Sequence, residues 1–213
     1  MNNKNKKRLS AIMTAILLIT LSLNLFAASI PDADEKFYVD DFANVIDSTT
    51  EDAIVNQAAS LYENYAAQIV IVTVNNLGGA DIADYAKELF NKWGIGDSAT
   101  NYGVLFLMVI DEENYYGLTG RGLENIVNAG TLGYIQQTYV EPYFAEGDYS
   151  GSATAFFSAM QEELTEKLSP LTEEQKQHTE KETKSGGYSW GTDIIIAIVV
   201  IIVFLILKKF IKI

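Results

Sequence analysis

The 213-residue chain contains no cysteine, which excludes disulfides, thiol catalysis and thiolate zinc sites. That absence does not identify the compartment. Histidine is almost as scarce: the single one, His178, lies in a polar stretch outside the part expected to fold. Nucleophile–base pairs built on Cys or His are therefore missing from the folded part. Nucleotide-binding loops are missing too. Gly120 and Gly122 are not followed by a third glycine at dinucleotide spacing, they follow a hairpin strand, and no Walker-type loop occurs. No organic cofactor is expected, and no internal repeat is present.

Basic residues are the next shortage. The net charge is −13, and four of the cations (Lys4, Lys6, Lys7, Arg8) precede an apolar run over residues 9–25. Small residues Ala27, Ala28 and Ser29 close that run, which is the plan of a secretory signal peptide over residues 1–29. Residues 194–207 form a second unbroken apolar run. Counted from Trp190 through Phe210, with Lys208 and Lys209 snorkelling, it is long enough for a membrane helix over residues 190–210. Lys208, Lys209 and Lys212 place a short tail, residues 211–213, in the cytoplasm and the middle of the chain outside. The expectation is a single-pass cell-membrane protein with an extracytoplasmic domain over residues 30–168 and a polar linker over 169–189. With seven cations assigned to the two ends, that exported middle carries −20. Such a charge argues against nucleic acid and anionic headgroups as partners. It fits a solvated acidic surface, or one that collects divalent cations.

The middle alternates helix-like and strand-like segments. Ser48-Thr49-Thr50-Glu51 reads as a capping box, followed by apolar residues at helical spacing through Tyr65. Residues 68–74 are a β-branched run suited to a strand covered on both faces. Asp81 is a plausible N-cap and Gly94 a stop for the next helix. Residues 104–110 make a second buried strand, completing a βαβ unit expected to be parallel and right-handed. A polar turn over 111–114 folds the chain into a hairpin with a short strand at 115–119. Gly120-Arg121-Gly122 then breaks the chain sharply, with room for a positive φ, before Glu124. Helical segments follow until Pro142, a turn over 147–151, and a last amphipathic helix over 153–168. The fold class expected from these segments is α/β with a mixed, mainly parallel sheet, plus one C-terminal transmembrane helix.

The chemistry available to this domain rests on carboxylates beside turns. Asp40 and Asp41 precede the first helix, Asp111 follows a strand, and Glu124 follows the glycine turn. Oxygen ligands of this kind suit Ca²⁺ or another divalent cation, although the spacing matches no EF-hand.

Five motifs in order carry a resemblance: V-D-D-F-A-N-V-I from Val39, Q-I-V-I-V-T-V from Gln68, L-F-N-K-W-G-I-G from Leu89, N-Y-G-V-L-F-L from Asn101 and G-R-G-L-E from Gly120. The series resembles the TPM domain, the family shared by YgcG-type exported bacterial proteins and a thylakoid-lumen protein of photosystem II repair. It covers residues 37–168, and the order of signal, domain, linker and membrane helix also looks like that family. The resemblance implies a three-layer α/β/α sandwich around that central sheet, divalent-cation binding in some members and an acid phosphatase activity. Matched residue by residue, it points to Asp41 and Glu124 as metal ligands, with Asp40 beside them and Arg121 as an anion contact. Asn128 stands where family sequences often have aspartate, so that position offers an amide oxygen and no charge. Three functions follow as expectations. The first is a tethered, cation-binding accessory or interaction module in membrane-protein maintenance, with membrane proteins or a membrane complex as partners and the bilayer held by the C-terminal helix. The second is a metal-dependent phosphatase on phosphomonoesters, and the third a metal-free anchor recruiting a partner complex.

Overall fold

The computed structural model describes residues 30–34, 37–172 and 175. The expected signal peptide, most of the linker and the expected membrane helix lie outside the described residues. Among those described, no helix is long and apolar enough to cross a membrane. The chain divides into two compact units, residues 1–171 and 172–213. Of the second, the backbone N–H and the hydroxyl of Thr172 both donate to Gln175 Oε1, each at 2.9 Å.

The first unit is built on a four-stranded sheet in the order β1-β2-β3-β4. Strands β1 (Val39–Asp41), β2 (Gln68–Val74) and β3 (Gly103–Val109) run parallel, and β4 (Asn114–Thr119) returns antiparallel to β3. The β-branched run at 68–74 and the apolar run at 104–110 become β2 and β3, buried over almost their whole length. Alternation sorts their side chains into two apolar layers. Ile69, Ile71, Val104, Phe106 and Met108 face helices α1 (Ser48–Tyr65) and α5 (Tyr149–Lys167). Val70, Val72, Leu105 and Leu107 face helix α2 (Ile82–Trp93) on the other side. Phe106 and Phe156 stack across the first layer with ring centroids 4.2 Å apart.

Both crossovers step the same way across the sheet, β1 to β2 and β2 to β3, yet α1 and α2 lie on opposite faces. Two such connections have opposite hands, so the right-handed rule holds for only one of them. The same arrangement makes a topological switch point between β1 and β2. The chain leaves these neighbouring strands toward opposite faces, which opens a crevice at their C-terminal ends.

Several element ends differ from expectation. The N-cap of α1 is Asp47, not Ser48: its carboxylate accepts from the Thr50 N–H at 3.0 Å and the Thr50 hydroxyl at 2.8 Å. A carboxylate at a helix N-terminus outcompetes the hydroxyl one residue on. Helix α2 has the ends expected of it, with Asp81 accepting from Ala83 and Asp84 and Gly94 left-handed at φ 62°. The turn expected over 147–151 is instead the start of α5, because Asp148 accepts from the Gly151 N–H at 2.7 Å and caps the helix there. Nor does Pro142 end the preceding helix. Helix α3 (Ala129–Ile135) runs into a π-helical turn (Gln136–Val140) and then α4 (Glu141–Phe144), with Pro142 in the first turn of α4. A first-turn position needs no backbone donor, so proline is tolerated there.

Candidate functional site

Asp41 ends β1 at the switch-point crevice. One of its oxygens accepts from the Thr73 hydroxyl, and Oδ2 accepts from the Ile46 N–H at 2.7 Å. Thr73 in turn accepts from the Ala43 N–H at 3.0 Å. The carboxylate thus ties down the loop to α1, where Asn44 is left-handed at φ 55°.

Asp40 points to the other face of the sheet and is 1% exposed. Its Oδ1 accepts from the Asp34 N–H at 2.7 Å, while Oδ2 is buried with no hydrogen-bond partner. Burial pushes its carboxyl up to about 6, and the nearby Asp34 charge adds to the shift against the pull of that backbone bond. The cover is residues 30–34. Lys92 donates to the Ile30 carbonyl at 2.7 Å and pairs with Asp32 at 2.8 Å, and the Trp93 indole donates to the Pro31 carbonyl at 2.9 Å. Phe42, 41% exposed, leans edge-on against Trp93.

The glycine turn sits elsewhere. The Gly120 N–H donates to the Gly103 carbonyl at 2.8 Å, at the start of β3. Neither Gly120 nor Gly122 has a positive φ; both are needed for space. A Cβ on Gly120 would lie 2.6 Å from the Asn101 carbonyl oxygen, and one on Gly122 only 2.0 Å from that of Thr100. Arg121 and Glu124 are exposed around this packed turn. Asn128 caps α3, its side-chain oxygen accepting from Gly130 at 2.9 Å and Thr131 at 3.1 Å. An aspartate would serve that cap equally well. The carboxylate missed by the sequence reading is Asp97, 7% exposed, which holds the facing loop through Ala99 at 2.9 Å and Thr100 at 3.1 Å and accepts from the Tyr62 hydroxyl at 3.3 Å. Its place in a polar loop gave no sign of burial.

The predicted ligands therefore do not converge. Asp41 is level with Thr73 and Met108, five residues along from Gly103, and it lies on the edge strand opposite β4. At ~3.3 Å per residue and ~4.8 Å per strand, Asp41 and Gly120 are roughly 20 Å apart. Asp41 thus lies at the end of the sheet away from the turn that bears Arg121 and Glu124. Among the described residues no group of three or more His, Asp or Glu is placed to hold a metal ion. Asp41 holds the Thr73 hydroxyl and the Ile46 N–H, Asp40 is buried under residues 30–34, and Glu124 faces solvent.

A different surface carries exposed aromatic side chains beside small ones. Along the outside of α5, Asp148, Gly151, Ala155, Ser158 and Glu162 follow one another at spacings of three and four, so they share one face. Tyr139, Pro142 and Tyr143 stand beside this small-residue floor, over an open depression of about 470 Å³ next to Glu162; a shallower continuation past Tyr143 reaches Asp148. Tyr134, Tyr139 and Tyr143 are 59, 43 and 45% exposed. Tyr134 and Tyr139 meet edge-to-face at 6.0 Å. The charge of Tyr134, and less so that of Glu162, raises the Tyr139 phenol above its ordinary value. The π turn puts Val140, rather than Tyr139, on the buried face after Ile135, and π turns recur at functional positions.

Comparison with known proteins places this architecture. The sequence pattern of the TPM domain matches residues 39–163. Two UPF0603 proteins of Mycobacterium tuberculosis, from the CDC 1551 / Oshkosh and H37Rv strains, are each 26% identical to it over 148 residues. That is 70% of this chain and 22% of each relative, so the chain spans about a fifth of the length of these curated relatives. The solution NMR structure of the N-terminal domain of a P. gingivalis protein is similar at 27% identity and a TM-score of 0.59, covering 64% of this chain and 87% of that one. An NMR structure of a protein from the psychrophilic bacterium Bizionia argentinensis shares the fold at 15% identity and a TM-score of 0.52, covering 61% of this chain and 87% of its own.

Proposed function

The chain belongs to the TPM domain family, and on that premise we propose that it is a membrane-tethered, extracytoplasmic interaction module that recruits membrane proteins or a membrane complex without catalysis. The observation that carries this reading is the groove on α5, three exposed tyrosines beside a floor of small residues. Exposed aromatic clusters of this kind mark protein contacts more often than they serve folding. The signal-like N-terminus, the terminal apolar run and the −20 charge between them support export and tethering.

Geometry favours this metal-free reading over the other two. A cation-ordered module or a phosphomonoester hydrolase built on Asp41, Arg121 and Glu124 needs those side chains around one point, and the sheet separates them. The test is chemical cross-linking of the full-length chain in membranes, followed by isolation and reciprocal isolation of the proteins recovered. Recovery of the same membrane neighbours with and without EDTA is the expected result. Loss of those neighbours in EDTA would restore the cation-dependent reading, and absence of any reciprocal neighbour would contradict recruitment.

A further inference from the structure

Within the reading of the domain as an interaction module, the charges around the α5 groove say more about its occupant. The residues lining it include two carboxylates, Asp148 toward one end and Glu162 toward the other, and no lysine or arginine. Across residues 37–168 the cations are only Lys87, Lys92, Arg121 and Lys167. Lys92 is drawn to Asp32 and Ile30, and Lys167 to Glu163 and the Ile126 carbonyl. The wall between the two carboxylates is aromatic. A tyrosine face next to a carboxylate attracts a cation twice, through the ring quadrupole and through charge.

We propose that this groove seats an extended polypeptide segment of a partner protein that carries two cationic side chains about 20 Å apart. One meets Glu162 beside Tyr139, the other meets Asp148, and the backbone between them lies over Ala155 and Ser158 against Tyr143. The spacing follows from the helix. Asp148 and Glu162 are fourteen positions apart on α5, roughly 21 Å at ~1.5 Å per residue. An extended segment covers that distance in about six residues at ~3.3 Å each. The floor suits a backbone rather than bulky groups, because glycine, alanine and serine leave the chain room to lie close. Charge complementarity sets this occupant apart from a second copy of the chain, which would bring its own acidic surface to an acidic groove.

The test uses the full-length chain in detergent and an acetylated, amidated seven-residue peptide with lysine at its first and last positions and alanine between. Binding is followed by calorimetric titration. The peptide should bind, weaken ~10-fold or more at about 0.5 M salt, and fail to bind when both lysines are replaced by glutamate. A peptide with its lysines two residues apart should bind at least ~5-fold more weakly, since one stem then has no carboxylate to reach. Tyr139→Ala should cost ~10-fold, Tyr139→Phe little, and Glu162→Gln ~3-fold or more. Glu162→Lys should abolish binding of the dilysine peptide and recover it for a peptide whose corresponding lysine is glutamate. Unchanged thermal melting identifies variants whose fold is intact, and Ser158→Arg, which fills the exposed floor, gives a second loss-of-binding variant.

Equal binding of the acidic peptide, or full binding by Tyr139→Ala with Ser158→Arg, would overturn the assignment. So would concentration-dependent self-association that those two substitutions abolish, because the groove would then belong to a second copy. If cross-linked membrane neighbours persist while the peptide does not bind, the groove assignment falls and recruitment stands. If neither is seen, both fall.

Discussion

Asp40 sits in surroundings that cost the fold stability. Its carboxyl is held at about 6 against an ordinary 3.8, so the folded state prefers it protonated. The group facing it is Asp34, and Lys92 of α2 pairs with Asp32 of the same covering segment. A carboxyl raised on folding costs nothing below about pH 4 and destabilises progressively as pH rises to 6, by about 3 kcal/mol for a shift of this size. Asp40→Asn should therefore match the parent at pH 4 and melt higher at pH 7, by roughly 5–10 °C. A gap that does not widen between pH 4 and 7 would show that the carboxyl is not penalised. Asp47 works in the opposite direction. Bonds from Thr50 hold it down to about 2, so its contribution is present above the ordinary carboxylate range and fades only as pH falls toward 2. The glycines give a sharper contrast at this scale. Gly122→Ala drives a Cβ into the Thr100 carbonyl and should cost about 2–4 kcal/mol in denaturant unfolding. Gly133→Ala, in α3 with nothing within 4 Å, should stabilise by about 0.5–1 kcal/mol.

The elements were legible where one local device sets an end. Asp81 and Gly94 bracket α2 as the sequence implied, since a carboxylate cap and a left-handed glycine act without help from the rest of the fold. The start of α5 was hidden because Gly147 and Gly151 suggest a turn, while the capping bond of Asp148 lies between them. Asp148→Ala should cost about 1 kcal/mol and leave the far end of the helix intact by amide exchange. The π turn had no local signal: Tyr139 keeps helical spacing, and only the added residue in the turn sends it outward. That is why the tyrosine groove escaped the sequence reading. The stacked pair across the α5–sheet layer was predictable in kind, from apolar periodicity, but not in partner. Phe156→Ala should remove the stack with Phe106 and cost about 3–5 kcal/mol.

At the scale of the molecule, the sheet decides which predicted residues meet. A hairpin after β3 returns the chain to the beginning of that strand, so Gly120 to Glu124 had to lie at the end of the sheet away from Asp41. The order strand, helix, strand, hairpin already implied this; pairing Asp41 with Glu124 overlooked it. What remains at each end is structural. Asp41 fixes the loop into α1, Asp97 fixes the loop before β3, and Asn128 caps α3. The surface proposed to bind a partner is the acidic, tyrosine-lined flank, where the small-residue face of α5 is uncovered in the described part of the chain.

The most direct measurement is photo-cross-linking in membranes from single positions of the full-length chain, with the reactive side chain placed at Tyr139, Asp41 or Glu124 in turn. A partner band from position 139, absent from 41 and 124, is the expected result. Bands from 41 or 124 with none from 139 would contradict the assignment of the working surface to the α5 groove.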